Sequence, residues 1–265
     1  MIEFAFMQRA LAAAVLVGVV CGALGFFVVL RRLAFIGVGI SHSAIGGVAI
    51  GVVAGVSPLL TAAVFAIAVA LGIAAVGRRS ALSEDAVIGV FFSGSMALGV
   101  VLFSLQRGYQ QDLFGYLFGD VLAISGRELA TLAAATALVL IALAFAFRRL
   151  FFIAFDEEIA QAYGQPVGLL NTALLVLLAL TIVIGVRLVG AILVEALLVI
   201  PAACAALWAS GWRAQLVLAT GLGAASGVLG LALAYWLNLA AGASIVLVSA
   251  GLFFASLALR RGGPA

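Results

Sequence analysis

Charge is scarce in this chain. Of its 265 residues only 9% are Asp, Glu, Lys or Arg, while 67% are hydrophobic. A soluble globular chain carries roughly 25% charged residues. With mean hydropathy at +1.38, that much apolar surface cannot be hidden inside 26.9 kDa, so a water-soluble enzyme is excluded and a multi-spanning membrane protein is indicated. The same composition excludes disorder. Cysteine is nearly absent: Cys21 and Cys204 both sit in apolar runs without CxxC spacing. That excludes a disulfide scaffold and argues for two small buried hydrophobes rather than ligands. Strand-like alternation is missing as well, since the apolar runs are unbroken, which speaks against a membrane β-barrel. Finally, no polar stretch exceeds those at 106–128 and 148–168. A nucleotide-binding or catalytic domain does not fit there, so the chain is not an enzyme, and any energy for transport comes from an ion gradient or from a partner.

The apolar runs fall at 10–30, 34–55, 58–77, 86–105, 129–147, 169–186, 190–208, 214–236 and 240–259. Each is near the ~20 residues a helix needs to cross ~30 Å of hydrocarbon. The expected fold is therefore an all-α polytopic bundle of about nine transmembrane helices, or eight if the short turn at 186–190 is not a true break. The net charge of +3 and a pI near 9.3 do not point to nucleic acid. Every basic residue is arginine, and Arg31-Arg32, Arg78-Arg79, Arg148-Arg149 and Arg260-Arg261 lie between apolar runs. Cytoplasmic loops carry the excess of basic residues. Threading nine helices with the N-terminus outside puts all four pairs and Arg213 inside, leaving Arg9, Arg107, Arg127 and Arg187 outside. The first run has no small-residue cleavage site and is expected to be a retained helix.

Glycine is abundant at 31 residues. The clusters at 37–51 and 221–230 predict close helix packing, because small residues let membrane helices approach. Two ionisable side chains stand out inside the runs. His42 is the only histidine, nine residues past an arginine pair, and thus ~13 Å deep. Glu195 is the only acid inside a span, ~8 Å below the outer end of its helix. Ionisable groups at such depth are functional candidates, and imidazole is a common metal ligand. Each also has a structural alternative: a neutral His42 bonded to a carbonyl or serine, and a protonated Glu195 hydrogen-bonded in the bundle or paired with Arg187. The depth estimates separate the two by something like 8 Å. Pro201 is expected to interrupt one ladder hydrogen bond in its span.

The inner segment 148–168 carries a short amphipathic helical pattern. Asp156, Glu157 and Glu158 open it, Ile159, Ala162 and Tyr163 follow at helical spacing, and Gly164 and Pro166 close it. Three adjacent acids would be repelled by an anionic inner leaflet, so a protein partner is favoured over lipid.

Taken together, VVLRRLAFIGVGISHSAIGGVAIG (28–51), EDAVIGVFFSGSMALGVVLFS (84–104), LFGYLFGDVLAIS (113–125), FDEEIAQAYGQPVGLLN (155–171), VGAILVEALLVIPAACA (189–205) and GASIVLVSAGLFF (242–254) resemble the integral membrane permeases of bacterial ABC transporters that import zinc, manganese or iron. The resemblance covers nearly the whole chain and implies a single permease domain over 1–265 in the bacterial cytoplasmic membrane, in contact with lipid. It implies a second permease copy or close relative, cytoplasmic ATPase subunits and an extracytoplasmic metal-binding protein as partners. It also implies that Asp156, Glu157, Glu158, Ile159, Ala162, Tyr163 and Gly164 form the coupling helix. The divalent ion would be cargo, and no cofactor is implied for this chain. One departure matters: the family commonly has a carboxylate four residues before the histidine, where this chain has Val38. Glu195, in a stretch where the family often has a small or apolar residue, is expected to supply that charge beside His42. The competing reading is a proton- or sodium-coupled carrier with His42 and Glu195 as relay. It predicts an inverted repeat, which is not evident. A permease for a larger metal chelate would need a longer chain.

Overall fold

The computed structural model describes residues 4–105, 119 and 121–261; Arg107 and the first part of the 113–125 motif lie outside them. Nine helices among the described residues are long and apolar enough to cross a membrane. In chain order these are α1 (Ala5–Leu30), α2 (Ile36–Ala54), α3 (Pro58–Arg79), α4 (Glu84–Ser104), α5 (Gly126–Phe155), α7 (Val167–Val189), α8 (Ala191–Trp208), α9 (Trp212–Leu237) and α10 (Ala241–Arg261), with the short α6 (Glu157–Ala162) between α5 and α7. The break at 186–190 is real. Gly190 has φ 92°, a conformation that favours glycine, and it separates α7 from α8.

The helix ends follow from local chemistry. At the end of α1, Arg32 adopts φ 58°. There Leu33 N–H donates to Val28 O at 2.8 Å and Arg32 N–H to Val29 O at 3.2 Å, the two bonds of a left-handed helix stop. Ser125 and Glu128 form a capping box that starts α5. This helix runs past the expected limit of 147: its 30 residues span ~45 Å and absorb Arg148 and Arg149. No glycine or proline interrupts the sequence between Gly126 and Asp156, so the helix crosses the interface and stops only where Asp156 turns extended at φ −154°.

Packing separates the helices into two groups. In one, α1 packs on α8 and α9, and α10 covers α8 and α9. In the other, α2 packs on α3 and α4, and α7 lies along α3. Glycine makes both groups tight. A Cβ on Gly47 would lie 2.7 Å from Ala62 Cα, one on Gly46 would lie 2.8 Å from Ser95 O, and one on Gly22 would lie 2.5 Å from Ala219 O. The long α5 packs on both α1 and α7 and so spans the two groups; elsewhere the contact between them is thinner. There α2 meets α8 at Gly37, whose Cβ position is an ordinary 3.9 Å from Glu195 Cα. The expected close packing of 37–51 and 221–230 thus falls mainly within the groups rather than across the seam.

Candidate functional site

Across that seam Ser41 and His42 of α2 meet Glu195 of α8. His42 Nδ1 lies 3.2 Å from Glu195 Oε1, 3.1 Å from Val38 O and 3.1 Å from Ser41 Oγ. The fully buried Ser41 hydroxyl donates to the same Glu195 Oε1. Phe92 of α4 sets its ring against the imidazole, with centroids 5.3 Å apart at 75°. The side chains of His42 and Glu195 are 22% and 17% exposed, shielded from bulk surroundings yet not sealed. Among the described residues no hydrogen bond engages His42 Nε2 or Glu195 Oε2. Both residues singled out from the sequence are therefore in one place; the side chain of Arg187 lies outside the description.

The 8 Å offset anticipated between them is absent, and the reason lies in the α7–α8 turn. Counting from the membrane surface assumes that α8 begins there. Instead Val189 is fully buried, and Gly119 rests on the turn: a Cβ at Gly119 would lie 2.8 Å from Gly190 Cα. Gly119 takes φ 60°, so glycine is required on both grounds. With the turn covered, Glu195 sits at the level of the first turns of α2.

One cavity adjoins the cluster at Ser41 and a second lies further along α2, lined by Ile36. The first, of about 20 Å³, lies beyond Ser41, among Val48, Ala62 and Val186. The second, of about 150 Å³, lies toward the arginine end, bounded by Ile36, Ile88, Leu174, Glu84, Arg31 and Glu157. Cys21 and Cys204 are free and buried. Among the described residues no group of three or more His, Cys, Asp or Glu is placed to hold a metal ion; of those residue types His42 and Glu195 offer a pair.

At the arginine end the 156–164 pattern folds as read. Asp156 caps α6, its carboxylate accepting Ile159 N–H at 2.8 Å, and Gly164 has φ 73°. Ile159 and Tyr163 are 48% and 76% exposed while Ala160 is buried, so α6 turns an apolar patch outward from the bundle. Glu157, with its side chain 53% exposed, reaches the edge of the bundle: its carboxylate is 3.5 Å from Arg31 Nη2. Arg31 Nη1 donates to Asn171 Oδ1 at 2.5 Å, and Asn171 Nδ2 donates to Glu157 Oε1 at 3.5 Å. Arg78 Nη1 donates to Gly168 O at 3.1 Å and to Thr172 Oγ1 at 3.0 Å. Sequence reasoning used these arginines only as markers of sidedness and missed their partners, along with Ser41 and Phe92. The Ser-His pair beside a mid-membrane histidine was the one available signal for Ser41.

Comparison with known proteins places this geometry in context. Residues 3–260 match the family model described as the ABC 3 transport family. The chain is 37% identical over 254 residues to the manganese import system permease protein ScaB of Streptococcus gordonii, covering 96% of this chain and 91% of that one. It is 34% identical over 258 residues to a probable iron transport system membrane protein of Haemophilus influenzae, covering 97% and 94%. Among solved structures it superposes on PsaBC from Streptococcus pneumoniae in complex with Fab, with TM-score 0.84, 37% identity and coverage of 96% and 92%.

Proposed function

The chain belongs to the ABC 3 transport family, and from that premise we propose that it is the membrane subunit of an ATP-driven importer of a divalent transition metal ion, manganese first. It is a multi-pass protein of the bacterial inner membrane. The observation that carries the cargo reading is the imidazole–carboxylate pair held across the seam at membrane depth. A hydrated dication cannot cross ~30 Å of hydrocarbon without polar partners, and a site that bound too strongly would trap it. Two side-chain ligands per chain are in the workable range.

Imidazole and carboxylate suit Zn²⁺, Mn²⁺ and Fe²⁺ alike; manganese and iron are put first because two relatives are named for them. An ion held by both residues would enter on the edge that faces Glu195: Nδ1, 3.2 Å from Oε1, is the nitrogen within reach, the ion taking the place of the contact between them. Glu195 would supply the charge that Val38 does not. The ligands still missing would come from Ser41, backbone carbonyls, water or a second permease copy. The exposed face of α6 would dock a cytoplasmic ATPase, where hydrolysis takes place, and an extracytoplasmic metal-binding protein would deliver the ion. A second permease copy or close relative would pair with this chain.

The test is uptake of radioactive manganese into proteoliposomes. Uptake should require the ATPase, the binding protein and ATP, and iron(II) should compete. Uptake by the chain alone on a proton or sodium gradient would instead establish the relay reading of His42 and Glu195.

A further inference from the structure

We propose that Arg31 is a positioning residue of the transport cycle: with Glu157 and Asn171 it latches the inner mouth of the cavity beneath His42 and Glu195, and a partner docked on α6 releases that latch through Glu157. The proposal rests on the importer reading above and adds to it the device that opens the inner end of the path.

Among the described residues two polar bridges cross the seam between the helix groups. One is the Ser41–His42–Glu195 cluster. The other lies at the arginine end, where Arg31, at the foot of α1, reaches Asn171 on α7 and Glu157 on α6. The 150 Å³ cavity lies beside that second bridge, with Arg31, Glu157 and Asn171 in its wall. Its apolar end is bounded by Ile36 and Ile88, and Ile36 is six residues, ~9 Å, from His42 along α2.

The charges at the mouth decide what it passes. The Arg31 side chain is only 10% exposed, so a fixed guanidinium stands in a narrow, poorly screened opening, where it repels a dication. While it stands there it also neutralises Glu157. With it in place the wall sets two guanidiniums, Arg31 and Arg78, against two carboxylates, Glu84 and Glu157; if it withdraws, the carboxylates outnumber the one guanidinium left, and the opening turns from balanced to cation-attracting.

The same pair ties the opening to α6. Glu157 sits in the first turn of α6, whose other face offers Ile159 and Tyr163 to the outside. Arg78 fastens the start of α7 to the end of α3 through Gly168 and Thr172. A pull on α6 and α7 is thereby carried by the α2–α3 group, away from Arg31 on α1. Arg31 is thus one point where the two groups must part for the mouth to open.

The experiment places a reporter in the cavity. Gly77 lines it, and a Cβ there meets nothing within 4 Å. Gly77→Cys, in a chain with Cys21 and Cys204 replaced by alanine and assembled with its ATPase, is labelled with a membrane-impermeant maleimide in inside-out vesicles. Without nucleotide, Arg31→Gln should speed labelling about tenfold, within the range of ordinary coupling between sites, and nucleotide should add little more. Glu157→Gln, which keeps the Arg31–Asn171 bond, should act in the same direction, and it serves if Arg31→Gln fails to assemble. The exchange Arg31→Glu with Glu157→Arg should restore slow, nucleotide-responsive labelling. Equal labelling rates in the parent and in both single variants would overturn the latch. Manganese uptake is read in right-side-out proteoliposomes of the same assemblies. No uptake by the parent would refute the cargo reading, whereas the labelling rates decide the latch whatever the cargo is.

Discussion

Replacing Glu195 by glutamine keeps the shape of the side chain and removes its charge. The carboxylate accepts from the buried Ser41 hydroxyl and lies 3.2 Å from His42 Nδ1, with 17% of the side chain exposed. A hydrogen bond to a charged group in a partly shielded site is worth about 1.5–3 kcal/mol. Loss of a charged ligand to a passing dication belongs in the upper part of that range, and at 1.4 kcal/mol per factor of ten manganese uptake should fall about 30- to 150-fold. His42→Ala should cost a similar factor. Were the two residues independent, the double variant would lose the product of the two factors; as parts of one site it should be little worse than either single variant. The assay is the initial rate of manganese uptake with the ATPase and binding protein present, normalised to ATPase retained. A third variant sharpens it. Val38→Asp in the Glu195→Gln background puts a carboxylate one helical turn before His42 and should recover part of the rate. Losses that multiply, or normal uptake by either single variant, would refute the one-site reasoning and leave the contact as packing.

Three other outcomes follow from the fold. Tyr163→Glu with Ala162→Glu should abolish co-purification with the ATPase while leaving the permease's Tm nearly unchanged, since exposed positions usually move stability by less than about 0.5 kcal/mol; a double variant that still holds its ATPase contradicts the docking face. Gly47→Ala should lower Tm, because its Cβ would sit 2.7 Å from Ala62 Cα and overpacking costs about 1–3 kcal/mol; Gly94→Ala, with nothing within 4 Å, should be neutral or stabilising by about 0.5–1 kcal/mol. In intact cells, a cysteine at Gln161 in a background lacking Cys21 and Cys204 should be blocked only by a membrane-permeant reagent, and labelling from outside would reverse the threading.

Much of the frame was determined by the sequence on its own. Spans follow from run length against hydrocarbon thickness, and both are local quantities. The same holds for α6, where an acidic cap, three apolar positions at helical spacing and a glycine stop are all within nine residues. Even the fork between eight and nine spans is decided by one residue, Gly190, because only a backbone freed of a Cβ turns readily at φ 92°. His42 and Glu195 were legible as candidates because burying a charge in hydrocarbon is costly and therefore rare.

Their contact was not legible, nor was its place in the fold. Depth counted from a helix end presumes that the end lies at the membrane surface, and Gly119, over seventy residues away in the chain, covers the turn that breaks the presumption. Glu157 reads as one of three like acids facing a partner; tertiary structure sets it, half-exposed, against Arg31, a residue that periodicity marks only as polar. The two helix groups were likewise hidden. Glycines at 22, 46 and 47 look alike along the chain, and only the neighbour each one meets decides that the first tightens one group, the others tighten the second, and the polar seam lies between. Helix formation is set by hydrogen bonds four residues apart, but helix choice of neighbour is set by shape and charge met at long range, and that is where the site was made.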